Sequence, residues 1–232
     1  MIAALFVEAS GVYSGLPAVD LWDEARDART YPGPWPVVAH PPCQRWGRYW
    51  HGGPSSKTRL VKGDDGGCFE AALKAVRTWG GVLEHPRDSH AWARFGLFAP
   101  PYGGGWIVAD DVGGWTCCLD QGRYAHPARK ASWLYVCRLP ALPSLLWGHS
   151  EGKRRLDLGF RTHEERALFF RPHELGELTP KQLRWRETEL ARRDPKTGKM
   201  RNAPERLTTR EKIDTPLPFR DLLIALAESV TR

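Results

Sequence analysis

Short apolar runs alternate along the chain with glycine- and proline-rich breaks, and two segments carry a helical period. Phe69, Ala72, Leu73 and Val76 recur at i, i+3, i+4 and i+7, with Glu70 facing Lys74 four residues on, which predicts an amphipathic helix. Gly80-Gly81 supplies its stop. Thr215-Pro216 starts a second helix, lined on one face by Phe219, Leu222, Leu223 and Leu226. Elsewhere the apolar stretches are brief and unbroken, the kind that parallel strands bury on both faces. Ala4 to Val7 is the first and runs into a glycine turn, Gly11 to Gly15. Pro36 to Ala39 is the second, ended by His40-Pro41-Pro42-Cys43, where the prolines stop any ladder. Gly81 to Leu83 is the third and ends in Glu84-His85-Pro86. Trp115 to Leu119 and Ala131 to Cys137 complete the strands, joined by Asp120 to Lys130. Asp23 to Thr30 reads as one or two charged helical turns, and Gly52 to Gly67 as a polar loop.

Strand, helix, strand over residues 36–86 is the signature of a βαβ unit, so the fold class is α/β with a mostly parallel sheet and a C-terminal antiparallel hairpin. Residues 140–213 are proline-rich, charged and weakly periodic, which predicts a basic insertion or small lobe. Residues 1–139 with 214–232 then form the main domain. Apolar residues at 41% and charged residues at 26% are the balance of a globular protein, and no stretch approaches the ~20 apolar residues of a membrane span. The N-terminus lacks a basic region and meets Glu8, so it reads as a strand and not as a signal peptide.

The five cysteines (43, 68, 117, 118, 137) include no C-x-x-C pair, a poor disulfide framework and a poor zinc site. Reduced thiols in a cytoplasm are expected, and no metal. The net charge of +7 is concentrated: residues 181–212 hold eleven Lys and Arg against five Asp and Glu. Such a stretch, with Arg184, Arg192 and Arg193 in it, suits either phosphate binding on nucleic acid or a solvated surface insertion.

The βαβ reading has a geometric consequence. Cys43 and Glu84 each follow the carboxyl end of a strand, and in an open parallel sheet those ends share one crevice. A thiol and a carboxylate some forty residues apart should therefore converge. Together they suit attack on an electron-poor ring: the thiolate adds to carbon 6 of a pyrimidine while the carboxyl group holds or protonates ring nitrogen 3. Arg45 and Arg48 flank the thiol and contact phosphate, lower its pKa, or both, and Trp46 is the tryptophan placed to stack on a base. His40 and His85 either line the same pocket or close turns.

These residues also resemble a family. Pro42-Cys43-Gln44 is similar to the nucleophile motif of DNA (cytosine-5) methyltransferases, and Leu83-Glu84-His85 stands where that family carries Glu-Asn-Val. Leu5-Phe6, Gly11 and Gly15-Leu16 resemble its opening cofactor motif, and Thr215 to Phe219 its last motif. Pro127 to Lys130 falls near its Gln-x-Arg-x-Arg motif. The sequence departs from the pattern at Glu8 and Ser10, where glycines are expected, and at His85 in place of Asn. The resemblance implies a Rossmann-like methyltransferase-type sheet and a DNA base flipped into the pocket. It implies catalysis by Cys43 and Glu84, Gln44 positioning the loop, and Arg129 or Lys130 holding base or phosphate. S-adenosyl-L-methionine would lie against Phe6, Gly11, Asp23 and Pro41, and DNA against Arg45, Trp46, Arg48, Lys130, Arg184, Arg192 and Arg193. Two alternatives remain open: a base hypermodification enzyme with another donor, and an inactive DNA-binding module. An enzyme of this size and style suits a bacteriophage.

Overall fold

Strands come first where the chain is too apolar to leave a face in water. In the computed structural model, which describes residues 1–52, 60–152, 159–160, 162–201 and 207–231, β1 (Ile2–Leu5) and β3 (Val37–Ala39) are buried throughout. β2 (Val19–Trp22) is half-buried at one edge of the sheet, where its alternation of Asp20 with apolar neighbours hides it in the sequence. α1 (Cys68–Trp79) leads from β3 to β4 (Gly81–Pro86), and α2 (His90–Arg94) follows. β5 (Ile107–Val108), β6 (Gly114–Asp120) and β7 (Ala131–Cys137) complete one sheet in the order β2-β1-β3-β4-β7-β6-β5. The first four strands are parallel, and each of the last three runs antiparallel to its neighbours. The fold is α/β with a seven-stranded mixed sheet.

Two cores follow from the pleat, because alternate residues of a strand face opposite sides. Phe69, Ala72, Leu73 and Val76 of α1 bury against Leu5, Val37, Ala39 and Leu83 on one face. On the other face Ile2, Ala4, Val38, Val82 and Leu134 meet Phe219, Leu223, Leu226 and Ala227 of the last helix, Leu217–Glu228. Both helical stripes read from the sequence are thus the buried faces. β1 ends two residues earlier than expected because Phe6 takes a positive φ of 59°. The charged segment after β2 forms only a short 3-10 turn, Ala28–Thr30, held by the Asp27 side chain accepting from Arg29 N–H.

The chain divides into two compact units, 1–151 with 214–232, and 152–213. The insertion expected from residue 140 therefore begins later. Leu142, Leu145 and Trp147 pack on the second core, and Ser150 donates to Asp120, which keeps residues 140–151 with the sheet. The second unit carries α3 (His163–Phe170), α4 (Pro180–Arg192) and α5 (Thr209–Ile213), and the helix 217–228 is α6. α4 begins with a capping box in which Thr179 and Gln182 satisfy each other's backbone N–H groups.

Gly81 is the tightest point between β3 and β4. Its φ is +116°, and a Cβ there would lie 2.0 Å from the Val37 carbonyl oxygen. Gly81→Ala should separate the strands that carry His40 and Glu84, lowering stability by at least about 3 kcal/mol in urea unfolding.

Candidate active site

Register places the central pair. β3 and β4 align Ala39 with Leu83, so His40 and Glu84, one residue on, are neighbours across adjacent parallel strands. Both point to the α6 face, on the same side as Val38 and Val82. The His40 ring Nδ1 lies 3.1 Å from Glu84 Oε2, and its Nε2 lies 2.8 Å from the hydroxyl of Tyr13, which the turn after β1 delivers. Gln121, just past β6, donates from Nε2 to Glu84 Oε1 at 3.4 Å and to the Ser132 hydroxyl at 2.8 Å. His40 and Gln121 thus meet the carboxylate from the ends of two other strands, with Tyr13 and Ser132 as their own partners.

These contacts decide its charge. Burial pushes the Glu84 carboxyl upward, but the His40 hydrogen bond and charge, then Lys130 and the Ser132 hydroxyl, outweigh it and hold the pKa at about 2. Glu84 is therefore ionised at neutral pH while only 12% of its side chain is exposed. Tyr13 is raised above the ordinary phenol range by burial and then by the Glu84 charge, so its hydroxyl keeps its proton.

Cys43 sits on the turn that leaves β3, half-buried and unpaired. Its carbonyl accepts from Trp46 and Gly47 N–H at 3.0 Å, which fixes the turn. Burial and then the Glu84 charge raise its thiol pKa, while its own backbone N–H and the charge of Lys130 pull it down. Lys130, lowered by burial and drawn back by Glu84, Cys43 and Asp214, donates from Nζ to the Asp214 carbonyl at 3.0 Å. The thiol, the carboxylate and the ammonium therefore share one electrostatic neighbourhood, as the strand-end argument expected of Cys43 and Glu84.

The other expected site residues fall out differently. Trp46 is a correction. Its ring is 4% exposed, packs on Phe69 and Phe95, and donates to Asp65 at 2.7 Å, so it anchors the Cys43 turn and offers no face to a base. Asp65 also accepts from Phe69 N–H at 2.9 Å, which ties that turn to the start of α1. Arg193 is a second correction: it is buried with Glu189, donates to Gly198 and lies over Phe160, a structural brace within its own unit. Arg48, Arg184 and Arg192 are exposed, Gln44 is exposed on the Cys43 turn, and Arg45 donates to the Trp50 carbonyl. Arg129 pairs with Tyr102 and Asp120, whereas Lys130 is the cation that acts on Glu84 and Cys43.

Of the four residues expected to hold a cofactor, Phe6 packs on the first core, Pro41 is buried, and Asp23 accepts from Arg26 N–H at 2.9 Å. Gly11 closes a turn onto Glu8, and a Cβ there would lie 3.1 Å from the Glu8 carbonyl. None of the four lines the groove of about 580 Å³ that runs beside α1 between Ala28 and Trp79. Among the described residues no cluster of His, Cys, Asp and Glu is arranged for a metal ion, and no helix is long and apolar enough to cross a membrane. Sequence reasoning missed Tyr13 and Gln121. Gln121 directly follows β6, a position many polar residues share, and Tyr13 lies within the Gly11–Gly15 turn, where nothing in the sequence singles it out.

His85 faces the opposite core, stacked on Trp92 and edge-on to Phe69. Neither ring nitrogen makes a hydrogen bond of ordinary geometry, although the Pro42 carbonyl lies near enough to favour the charged form. Burial outweighs that and lowers its pKa to about 4. No family model, no curated protein and no solved structure matches the chain.

Two outcomes follow from these charges. Glu84→Gln should raise the alkylation rate of Cys43 by iodoacetamide at neutral pH by roughly three- to tenfold, and Lys130→Met should lower it, read by peptide-resolved mass spectrometry. His85 is neutral when folded, and its folded pKa lies below the unfolded one. Its contribution is full above pH 6.5 and is lost as the pH falls toward 4, on the order of 3 kcal/mol. Comparing wild type with His85→Phe in thermal melts from pH 7 to 4 should show this limb flattened in the variant.

Proposed function

We propose that the chain modifies a pyrimidine base in DNA, cytosine by preference, through a transient bond between Cys43 and carbon 6 of the ring. The observation that carries this reading is the shared neighbourhood of the Cys43 thiol, the ionised buried Glu84 and Lys130 at the carboxyl ends of β3 and β4. The parallel half of the sheet, the closing β6–β7 hairpin and α6 packed back on β1 and β3 also accord with the resemblance to cytosine-5 methyltransferases. Each unit carries exposed cations suited to phosphate, Arg48 on one and Arg184 and Arg192 on the other.

The chemistry follows from the charges. By burial and then by the negative Glu84, the Cys43 thiol is held protonated until a base arrives. A ring whose nitrogen 3 docks on the Glu84 carboxyl engages that charge, which eases thiolate formation. The Cys43 S–H bond breaks as the sulfur bonds to carbon 6, its proton passes by way of the Glu84 carboxylate to nitrogen 3, and the ring electrons move to carbon 5. Carbon 5 takes an electrophile and loses its hydrogen as a proton to solvent, the carbon–sulfur bond breaks, and the nitrogen 3 proton returns to the sulfur, restoring the ring and the thiol.

S-adenosyl-L-methionine does not fit the turn after β1 as it stands. The close approach at Gly11 is used by the Glu8 carbonyl, and the Asp23 carboxylate is engaged with the Arg26 backbone. No step is therefore routed through that donor, and the same closed turn favours a second reading, hypermodification with a different donor on the same adduct.

Release of tritium from DNA carrying [5-³H]cytosine tests the adduct without any donor. Wild type should release it, Cys43→Ser should fall by roughly 10⁴-fold or more, and Glu84→Gln by about 10²- to 10⁴-fold. Trapping on 5-fluorocytosine DNA with and without S-adenosyl-L-methionine separates the two donor readings. A wild type that binds DNA yet neither releases tritium nor forms an adduct would overturn the enzyme reading in favour of a binding module.

A further inference from the structure

Two arginines outside the Glu84 network share one exposed ring. The Arg87 guanidinium lies 4.2 Å from the centre of the Tyr102 ring, and the Arg129 guanidinium lies 5.6 Å from it. Arg129 also donates to the Tyr102 hydroxyl at 2.9 Å, and the His149 ring stands 4.2 Å from the same tyrosine. All four residues belong to the unit that holds the sheet. The backbone sets them side by side. Arg87 N–H donates to the Ala131 carbonyl at 3.0 Å, which carries the β4–β7 pairing one step past Pro86 and brings Arg129 alongside. The Tyr102 loop is held from behind: Trp106 donates to the Pro143 carbonyl at 2.9 Å. Gly104 lies so near the Trp147 ring that a Cβ would approach it to 2.7 Å.

Like charges gathered on one ring repel each other, and neither acidic neighbour cancels them. Asp88, the partner of Arg87, is 61% exposed, so theirs is a surface ion pair of small worth. Asp120 lies 3.9 Å from Arg129, but its carboxylate already accepts from the N–H groups of Gly122 and Lys130 and from the N–H and hydroxyl of Ser150. Stacking engages the flat face of a guanidinium and leaves its edge for hydrogen bonds. An anion with several oxygens can bridge two such edges at once and relieve the repulsion, and a phosphate has that form.

We infer that Arg87 and Arg129, spaced by Tyr102, clamp a backbone phosphate of the DNA strand that carries the target base. This rests on DNA being the substrate, and it adds Arg87 and Tyr102, which have no part in the covalent chemistry. Arg87 lies three residues beyond Glu84 on one extended segment, about 10 Å away at ~3.3 Å per residue. Arg129 adjoins Lys130, whose charge acts on both Glu84 and Cys43. The clamp is therefore within short reach of the place where a nucleotide swung out of the stack would put its base. Such a contact fixes the register of the strand and reads no sequence.

The test is the salt dependence of binding to a labelled duplex, followed by fluorescence anisotropy from about 50 to 200 mM KCl. Each lost phosphate contact lowers the slope of log Kobs against log salt by about 0.9. Arg87→Met and Arg129→Met should each do so and weaken binding equally on unrelated sequences. Arg87→Lys and Arg129→Lys should keep the slope, because lysine retains the charge and gives up the planar stack, whereas a purely structural role would be lost in both substitutions. Lys74→Met, on the exposed side of α1, should leave the slope unchanged. If one arginine position does not tolerate methionine, the Met and Lys pair at the other still decides. An unchanged slope in the methionine variants overturns the clamp, and so does a wild type that binds no DNA. Tritium release from [5-³H]cytosine DNA judges the covalent reading separately. A lowered slope without release keeps the clamp and sinks the adduct, and release with an unchanged slope does the reverse.

Discussion

One register relation governs the site: Ala39 beside Leu83 in adjacent parallel strands, which sets His40 against Glu84 on the following step. A carboxylate in that position is nearly sealed from water, and leaving it without partners would cost several kcal/mol. The surroundings answer that demand. The turn after β1 brings Tyr13 to the far side of His40, β7 brings Ser132, and the end of β6 brings Gln121. α6 closes the same face with Phe219 and Leu223, and Arg220 ties it to the Tyr13 turn. The packing that buries Glu84 and the polar network that satisfies it are thus built from the same elements, so the site and the second core are inseparable.

The opposite face has a different task. Phe69, Trp46, Trp92 and Phe95 form an aromatic block under the Cys43 turn, and Asp65 joins the Trp46 indole to the start of α1. The Cys43 turn is anchored on this block through Trp46. His85, the residue after Glu84, is turned into it by the strand pleat and gives up ordinary hydrogen bonds there. Two successive residues of β4 therefore serve opposite ends: Glu84 stays charged among donors, and His85 stays neutral among rings.

How much of this was legible depends on what each signal reports. Helical period reports a buried stripe directly, so α1 and α6 were readable from Phe69 to Val76 and from Phe219 to Leu226. Apolar runs bounded by glycine and proline reported β3 and β4, and their parallel pairing carried the convergence of Cys43 and Glu84. β2 and β5 were not readable because an edge strand is short or half-buried and lacks an unbroken apolar run. Trp46 looked like a stacking surface because sequence gives proximity to a motif and says nothing of the direction of a ring. Arg193 looked like part of a cationic patch for the same reason, and only the Glu189 contact and the Phe160 ring reveal it as a brace. Tyr13, Gln121 and Lys130 meet Glu84 or its partner from segments 27 to 46 residues away, a relation that pairing geometry sets and linear spacing does not.

A raised thiol pKa at a proposed nucleophile looks like a contradiction, and the charge balance resolves it. Cys43 is raised by burial and by Glu84, so the resting site disfavours a free thiolate. That suits a site that must not react with other electrophiles while empty. In the proposed reaction the charge that suppresses the thiol is the same charge that would receive nitrogen 3, so docking a ring would relieve the suppression as it prepared the carbon. A site with Glu84 neutral at rest would lose this coupling, because the thiol would then be as acidic without the base as with it. Holding Glu84 ionised through His40 and Lys130, against the tendency of burial, is therefore what would make the thiol conditional on its substrate in the proposed reaction.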